Sequence, residues 1–167
     1  NKELVNVTLP ASIQGAEHVE QLQIIGDKLR QACGKSYLAA KAVEDIAKWR
    51  DNKGFGETAS KQAVPKKLRC VHIIDSVKHP EELKLLRATY GEIFWLIGVF
   101  APLTVRNKRL TIQEGWDKEK INPIIQRDYT EDEEHGQKVR DVFYQADFFV
   151  RNDKENKTRL NNILFRF

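Results

Sequence analysis

Val71-His72-Ile73-Ile74-Asp75-Ser76 is the stretch of sequence that decides the predicted fold. Its apolar residues predict a buried strand that ends at the carboxylate of Asp75. Pro80 begins a predicted helix, and an apolar run at residues 93–101 predicts a second buried strand. Two buried strands joined by a crossover helix form a parallel α/β unit, and such sheets bind ligands beyond the carboxyl ends of their strands. Asp75 therefore lies where a functional side chain is expected.

The composition is typical of a single globular domain. The chain has 167 residues, of which 41% are hydrophobic and 31% charged, so it is long enough to bury a core. It has no apolar run of about 18 residues and no signal-peptide pattern, so we expect no membrane span and a cytoplasmic location. Cys33 and Cys70 lie in apolar patterns, which predicts buried, reduced thiols. The net charge is +4 with both signs interspersed, so nucleic-acid binding is neither required nor excluded.

The periodicity of apolar residues predicts the element order ααβαβααβα. The first two helices form a hairpin over residues 16–50, in which Gly34 ends the first helix and Ser36 caps the second. A loop is predicted at residues 51–67. The remaining elements are a helix from Pro80 to Gly91, a basic helix at 104–113, a polar connection at 115–122, a helix opened by a capping box of Thr130 and Glu133, a strand at 148–150 and a last helix at 160–167.

Two short motifs resemble functional signatures that the rest of the chain does not complete. Gly34-Lys35-Ser36 resembles the end of a phosphate-binding loop, which also needs a preceding strand and a glycine where this chain has Leu29. We interpret it as the end of one helix and the start of the next. His18-Val19-Glu20 resembles part of the zinc deaminase signature, which also needs a Pro-Cys-x-x-Cys segment that the sequence lacks. Helix surface is the favoured interpretation of that motif.

Asp75 has two interpretations between which the sequence does not decide. A carboxylate at the end of a buried strand can hold a magnesium-bound water beside nucleotide phosphates. Alternatively, Asp75 or Ser76 caps the turn into the helix at Pro80. The predicted fold favours the first interpretation, and the lack of a partner phosphate-binding loop weakens it.

Four arginines are candidate phosphate ligands. Arg106 and Arg109 lie three residues apart on the basic helix that follows the second predicted strand, and Arg127 comes after a polar connection. The planar guanidinium group matches the geometry of phosphate oxygens. The alternative is a solvated helix face whose ion pairs contribute little. Arg30, on the helical hairpin, is a weaker candidate that also fits a snorkelling side chain.

Segments along nearly the whole chain resemble a known family. They are Ile74-Asp75-Ser76-Val77-Lys78-His79-Pro80-Glu81-Glu82, Leu86-Arg87, Tyr90-Gly91, Phe94-Trp95-Leu96-Ile97-Gly98-Val99, Arg106-Asn107-Lys108-Arg109, Arg127-Asp128, Gly136-Gln137-Lys138-Val139, Ala146-Asp147-Phe148-Phe149-Val150-Arg151-Asn152 and Gly26-Asp27-Lys28-Leu29-Arg30. This pattern resembles the amino-terminal P-loop kinase-like domain of bacterial anti-phage deoxycytidylate deaminases. The arginine helix and the Ala-Asp element are also similar to dephospho-coenzyme A kinases and deoxynucleoside monophosphate kinases.

The resemblance implies an α/β fold, in which a three-layer parallel sheet is flanked by helices as in P-loop nucleoside-monophosphate kinases. It further implies that the chain lacks the first strand and the phosphate-binding loop of that fold. Residues 1–167 then form one kinase-like domain, a fragment of its parent, with the helical hairpin at 16–50 and the α/β core at 68–167. The zinc deaminase domain of the family is absent from this chain.

The function that the resemblance implies is a nucleotide-binding, regulatory role in a zinc-dependent deoxycytidine nucleotide deaminase of phage defence. Zinc would belong to the missing domain, and a magnesium–nucleotide to this one. The expected phosphate or magnesium neighbours are Asp75, Arg106, Arg109, Arg127 and Arg30. No residue of this chain is assigned as catalytic or as a metal ligand.

Two further functions stay open. The first is an active kinase for a deoxynucleotide or a coenzyme precursor, and the second is an interaction domain whose arginine helix contacts regulatory RNA or a partner protein. Transfer of phosphate from ATP would indicate the kinase, and salt-sensitive RNA binding would indicate the interaction domain. We also expect a homo-oligomer, because an apolar sheet edge favours pairing with another chain.

Overall fold

The computed structural model describes residues 15–53, 70–112, 115–130 and 138–153. These residues form a mixed α/β structure that is mostly helical and contains a small parallel sheet of two strands. The elements in chain order are α1 (Gly15–Cys33), α2 (Tyr37–Asn52), α3 (Pro80–Tyr90), a 3-10 turn (Gly91–Ile93), β1 (Ile97–Phe100), α4 (Leu103–Ile112), α5 (Lys118–Thr130), α6 (Val139–Phe143) and β2 (Phe148–Arg151). The α/β class predicted from the sequence is confirmed at this level.

Helices α1 and α2 form the predicted hairpin. Gly34 adopts a φ of +108°, in the left-handed region that favours glycine, and its N–H donates to the Arg30 carbonyl at 2.9 Å. Ser36 occupies the position before α2, although its side chain makes no capping hydrogen bond. The Gly34-Lys35-Ser36 motif is therefore a connection between two helices, as interpreted from the sequence.

Helix α3 lies at the centre of the described core. Pro80 occupies its first turn, where the missing N–H costs nothing, and Gly91 follows its last residue. Leu83 and Leu86 are 1% and 0% exposed, and the helix packs against α2 on one side and α6 on another. The spacing of Leu83, Leu86 and Tyr90 predicts that these three residues form the buried face of the helix. The two leucines confirm it, whereas Tyr90 is only partly buried.

Strands β1 and β2 run parallel, with Ile97 opposite Phe148 and Phe100 opposite Arg151. The connection between them passes through α4, α5 and α6. Asp147 fixes the starts of both strands. Its carboxylate accepts a hydrogen bond from the Leu96 N–H at 2.7 Å and another from Arg87 Nη2 at 3.1 Å. The Ala146-Asp147 element thus has a structural role, in which Asp147 holds the amino end of this sheet together by hydrogen bonds.

Gly98 permits the close packing of α6 and β2 on β1. A Cβ atom at this position would lie 3.0 Å from ring carbons of Phe143 and Phe149 and 3.1 Å from the Cβ of Ala146. The exposed Phe149 ring can move aside, but the partly buried Phe143 ring of α6 and the Ala146 methyl group would have to shift against their own neighbours. We expect Gly98→Ala to lower the free energy of unfolding by about 1–3 kcal/mol.

Chemical denaturation of the wild type and of Gly98→Ala measures this effect. Gly91→Ala is not a suitable control, because Gly91 has a φ of +55° at which an alanine would be strained for another reason. The change Ala88→Gly removes a methyl group from an exposed position of α3. It measures how much an alanine–glycine exchange changes stability through the backbone alone, which we expect to be about 1 kcal/mol. A Gly98→Ala protein as stable as the wild type would contradict the packing argument.

Residues 70–78 do not form the predicted strand. No regular secondary structure is assigned to them, and Val71 and Ile73 are 88% and 89% exposed. Within the described residues the sheet consists of β1 and β2, so this segment has no strand neighbour there. An alternating apolar pattern specifies which side chains share a face, but a strand also needs a neighbouring backbone to bond. The segment instead rests beside α2, with the ring of His72 5.0 Å from that of Trp49.

Burial of the second strand was overestimated for a related reason. Of the four residues of β1 only Gly98 is buried, while Ile97, Val99 and Phe100 remain exposed. In the described part of the chain, β2 pairs with one edge of β1 and no strand is paired with its other edge. Cys33 is partly exposed and Cys70 exposed, so the prediction of buried thiols is also wrong.

The sequence interpretation was also wrong around residues 115–130. Residues 118–122, predicted to end a polar connection, instead begin helix α5, which continues to Thr130 with Pro123 inside it. Burial of Ile121 and Ile124 against the helical core outweighs the low helix propensity of the proline. Thr130 is the last described residue of α5 and is itself helical, whereas the predicted capping box needs a non-helical residue there. The predicted loop at 51–67 extends past the described residues after Lys53, and Glu133 and the last predicted helix at 160–167 also lie outside them.

Across the described residues, no helix is both long enough and apolar enough to cross a bilayer.

Candidate functional site

Arg109 lies at the carboxyl end of the parallel sheet. Its Nη1 donates to the carbonyl oxygen of Asn152 at 2.9 Å, and the N–H of Asn152 donates to the carbonyl oxygen of Phe100 at 2.7 Å. Asn152 follows β2 directly, and Phe100 is the last residue of β1. The guanidinium group is therefore held beside the ends of both strands, which is the edge at which parallel sheets bind ligands.

Arg106 precedes Arg109 by three residues on α4, so the two side chains share a face of the helix. The helix begins immediately after β1, because Pro102 supplies the first carbonyl and accepts the Arg106 N–H at 3.0 Å. Both arginine side chains are partly buried, and Lys108 between them is exposed. The basic face predicted from the sequence is thus placed at the sheet end.

Arg30 has a different environment from that expected of a phosphate ligand. Its side chain is 2% exposed, its Nε donates to Glu82 Oε1 at 2.8 Å, and its Nη1 donates to Asp27 Oδ1 at 3.0 Å. Glu82 is itself 3% exposed. A guanidinium group that is buried and bonded to two carboxylates has little surface left for a ligand. Arg30 is therefore a structural ion-pair residue here.

Arg127 lies next to this buried cluster. Its Nε is 3.9 Å from Asp27 Oδ2, and its side chain is 32% exposed while that of Asp27 is 14% exposed. Asp27 thereby lies between Arg30 of α1 and Arg127 of α5. A hydrogen bond of 3.3 Å from Gln23 Nε2 to the Ile124 carbonyl joins the same two helices. The structure brings Arg30 and Arg127 together, and it places Arg109 at a separate feature, the sheet end.

Asp75 is exposed and does not cap α3. Its Oδ1 accepts a hydrogen bond from the hydroxyl of the adjacent Ser76 at 3.1 Å. The residue that caps α3 is His79, whose Nδ1 accepts the Glu81 N–H at 3.1 Å. The capping alternative for Asp75 and Ser76 is therefore wrong, and the Asp75 carboxylate lies open to solvent ahead of the turn.

Glu82, which the sequence places in the first turn of α3 beside the positive end of the helix dipole, has a further role in the structure. Its Oε2 accepts the N–H groups of Lys78 at 2.9 Å and His79 at 3.1 Å, which completes a capping box with the His79 side chain. A signal was present in the sequence, since a glutamate stands three residues after His79 and two after Pro80. It was obscured because histidine is not among the common capping residues.

A large pKa shift occurs on the exposed face of α2. Hydrogen bonds from Lys41 and then Lys48 to Glu44, at 2.6 Å each, lower the pKa of Glu44 to about 2. A depressed carboxylate pKa adds stability that is present above the ordinary pKa of 4.5 and is lost as the pH falls towards 2. Because all three side chains are exposed, solvent screens the interaction and it belongs to the surface of the hairpin.

Magnesium and zinc are the two metals that the resemblance implies. Magnesium in nucleotide sites uses one or two carboxylates together with phosphate oxygens and water, and the exposed Asp75 is compatible with such a role. Within the described ranges no cluster of three or more His, Cys, Asp or Glu side chains could hold a metal ion. The zinc ligands of the deaminase signature do not fit this chain, since its two cysteines are far apart in sequence and no Pro-Cys-x-x-Cys segment is present.

Comparison with known proteins gave no match to a family model, to a curated protein or to a solved structure.

Proposed function

We propose that this chain is a nucleotide-binding regulatory module with a P-loop kinase-like, three-layer architecture. The observation that supports it most directly is the position of Arg109, bonded to Asn152 at the carboxyl end of two parallel strands. A guanidinium group at that edge, with Arg106 on the same helix face, provides two cations for phosphate oxygens. Arg127 lies beside Asp27 and is 32% exposed, so it stays a phosphate candidate apart from the sheet end, whereas Arg30 is excluded from this role by its burial.

The parent activity that we propose is that of a zinc-dependent deoxycytidine nucleotide deaminase acting in phage defence. It rests on the resemblance of the sequence segments, and the chemistry would take place outside this chain. Here a nucleotide would bind the arginines at the sheet end, and differential binding to two states would alter the activity of an attached catalytic domain. The expected homo-oligomer stays a prediction, as does a regulatory RNA or partner protein.

A nucleotide or coenzyme-precursor kinase is the second candidate. The observation that favours it is the exposed carboxylate of Asp75, which no ion pair or cap occupies in the described residues. In phosphoryl transfer such a carboxylate would hold a magnesium-bound water beside the phosphates. This candidate requires the groups that cradle a triphosphate, and Gly34-Lys35-Ser36 does not supply them because it connects two helices.

Alanine at both Arg106 and Arg109 should lower the affinity for Mg-dCTP, Mg-ATP or dCMP, whichever the wild-type chain binds, by more than about tenfold. A hydrogen bond to a charged group contributes about 1.5–3 kcal/mol, and about 1.4 kcal/mol corresponds to a factor of ten. Isothermal titration calorimetry measures the affinity, and thermal melting shows whether the Asn152 contact of Arg109 also affects folding.

Lys41→Ala with Lys48→Ala is the matched control, since it removes the same two positive charges from an exposed surface of α2. We expect this control to change affinity by less than about twofold at physiological salt, because distant exposed charges are screened. A loss of only a few fold in the arginine variant, or an equal loss in the lysine control, would count against phosphate binding at the sheet end.

Product assays separate the candidate activities. Ammonia release from dCTP or dCMP by the protein that contains this chain, abolished by a zinc chelator and independent of ATP, would support the deaminase assignment. Consumption of ATP without ammonia release would instead support the kinase and give Asp75 a place in the reaction. Salt-sensitive RNA binding without either activity would indicate an interaction domain.

A further inference from the structure

A single buried carboxylate connects the helical hairpin to the turn that precedes α3. One oxygen of Glu82 accepts Arg30 Nε at 2.8 Å, and the other accepts the backbone N–H groups of Lys78 and His79 at 2.9 and 3.1 Å. Arg30 and Glu82 are only 2% and 3% exposed, so water cannot replace the bond between them without an opening of the structure. The position of the turn therefore depends on where α1 holds the carboxylate.

The turn needs such an anchor. Ser76 has a φ of +68°, a conformation that residues other than glycine rarely adopt and that persists only when neighbouring contacts enforce it. Two residues later, Lys78 is held on both sides: its N–H donates to Glu82, and its carbonyl accepts the Lys138 N–H at 2.9 Å. Asp75 immediately precedes Ser76, so the direction of the Asp75 side chain depends on the shape of this turn.

We infer that Arg30 is a positioning residue, which fixes the turn bearing Asp75 by orienting Glu82. Arg30 thus acts through Glu82 and does not touch a phosphate. This role replaces that of the weaker phosphate candidate expected from the sequence. The effect on a ligand rests on the proposed function, in which Asp75 lies beside the magnesium of a bound nucleotide. A displacement of α1 relative to α3 would be transmitted through the Arg30–Glu82 pair to this turn.

Native-state amide exchange of the whole chain tests the positioning role. Arg30→Lys is the main variant, because lysine keeps the charge but loses the planar fork that bonds both Glu82 and Asp27. We expect exchange of the Lys78 and His79 amides to accelerate by about tenfold or more, with the Asn152 amide at the sheet end unchanged. Arg87→Lys is the matched control, since it makes the same change on a partly exposed arginine paired with Asp147.

A second measurement on the same variants is their affinity for Mg-dCTP and Mg-ATP. If Arg30 sets the direction of Asp75, Arg30→Lys should weaken the binding of the magnesium complex by several fold. The affinity for the same nucleotide with EDTA in place of magnesium should stay unchanged. A purely structural ion pair would not produce this difference between the two forms of the ligand.

The outcomes are distinguishable. Unchanged exchange at Lys78 and His79 in Arg30→Lys would overturn the positioning role, whatever nucleotide binds. A second outcome is that Arg30→Lys accelerates exchange but leaves the affinity for the magnesium–nucleotide unchanged. If the Arg106 and Arg109 changes do lower that affinity, this outcome would overturn the effect of Arg30 on the ligand. If the wild-type chain binds no nucleotide, the proposed function fails, and the exchange rates alone decide whether Arg30 holds the turn.

Discussion

Arg30→Met should lower the free energy of unfolding by about 3–5 kcal/mol, because it leaves the carboxylate of Glu82 buried without its cation. Methionine fills a similar length of the core, so the loss of charge and hydrogen bonds dominates over the loss of volume. Glu82 is 3% exposed and cannot turn to solvent without giving up its bonds to the Lys78 and His79 amides. Urea denaturation at neutral pH measures the change, provided that the transition remains two-state.

Two controls separate burial from charge. Arg87→Met removes an arginine that is 41% exposed from an ion pair with Asp147, and we expect a loss of about 1 kcal/mol or less. The double variant Arg30→Met with Glu82→Gln should be more stable than Arg30→Met alone, because glutamine is neutral and its carbonyl can still accept a backbone N–H. Equal losses for Arg30→Met and Arg87→Met would refute the buried-pair argument.

The burial of Arg30 illustrates what could not be predicted from the sequence. Gly26-Asp27-Lys28-Leu29-Arg30 lies on α1, whose buried residues are Ala16, Gln23, Gly26 and Arg30 rather than its apolar stripe at Leu22 and Leu29. Nothing in the apolar periodicity shows that Arg30 meets a glutamate on α3. The contact between Arg30 and Glu82 joins residues that are distant in the chain. A sequence pattern indicates local structure and faces, whereas ion partners across helices are fixed by tertiary packing. For the same reason the sequence leaves Arg30 as a weaker phosphate candidate or a snorkelling side chain and does not predict its carboxylate partner.

Local signals were sufficient for the elements that have strong boundaries. The backbone is constrained directly at Gly34, Pro80 and Gly91. The first helix of the hairpin ends before Gly34, and α3 begins at Pro80 and ends before Gly91, as these residues predict. The strand at 148–150 was also predicted, and it is part of β2. Residues 71–75 were mispredicted because β-branched side chains favour extended backbone but cannot specify a strand neighbour. The arginines of α4 were placed correctly on a helix, and their position at the sheet end became evident only from the Asn152 contact.

Leu86→Ala should lower the free energy of unfolding by about 2–5 kcal/mol. Leu86 is 0% exposed on α3, which packs against both α2 and α6, so the removed atoms leave a cavity that elements on two sides would have to fill. Leucine and alanine both favour helices, so the change tests packing and not backbone preference. Each kcal/mol lost should lower the melting temperature by about 2–4 °C in a chain of this size.

The adjacent Leu85 provides the matched control, since Leu85→Ala makes the same chemical change on the same helix at a partly exposed position. We expect a loss of about 1 kcal/mol there. A larger loss of stability at Leu85 than at Leu86 would mean that a different side of α3 faces the core. The Glu82–Arg30 pair would then be misplaced as well, because Glu82 and Leu86 lie four residues apart on one helix face. A larger loss at Leu86 than at Leu85 would locate the buried face of α3. It would also place the Glu82 carboxylate, which holds the turn before the helix, on that face.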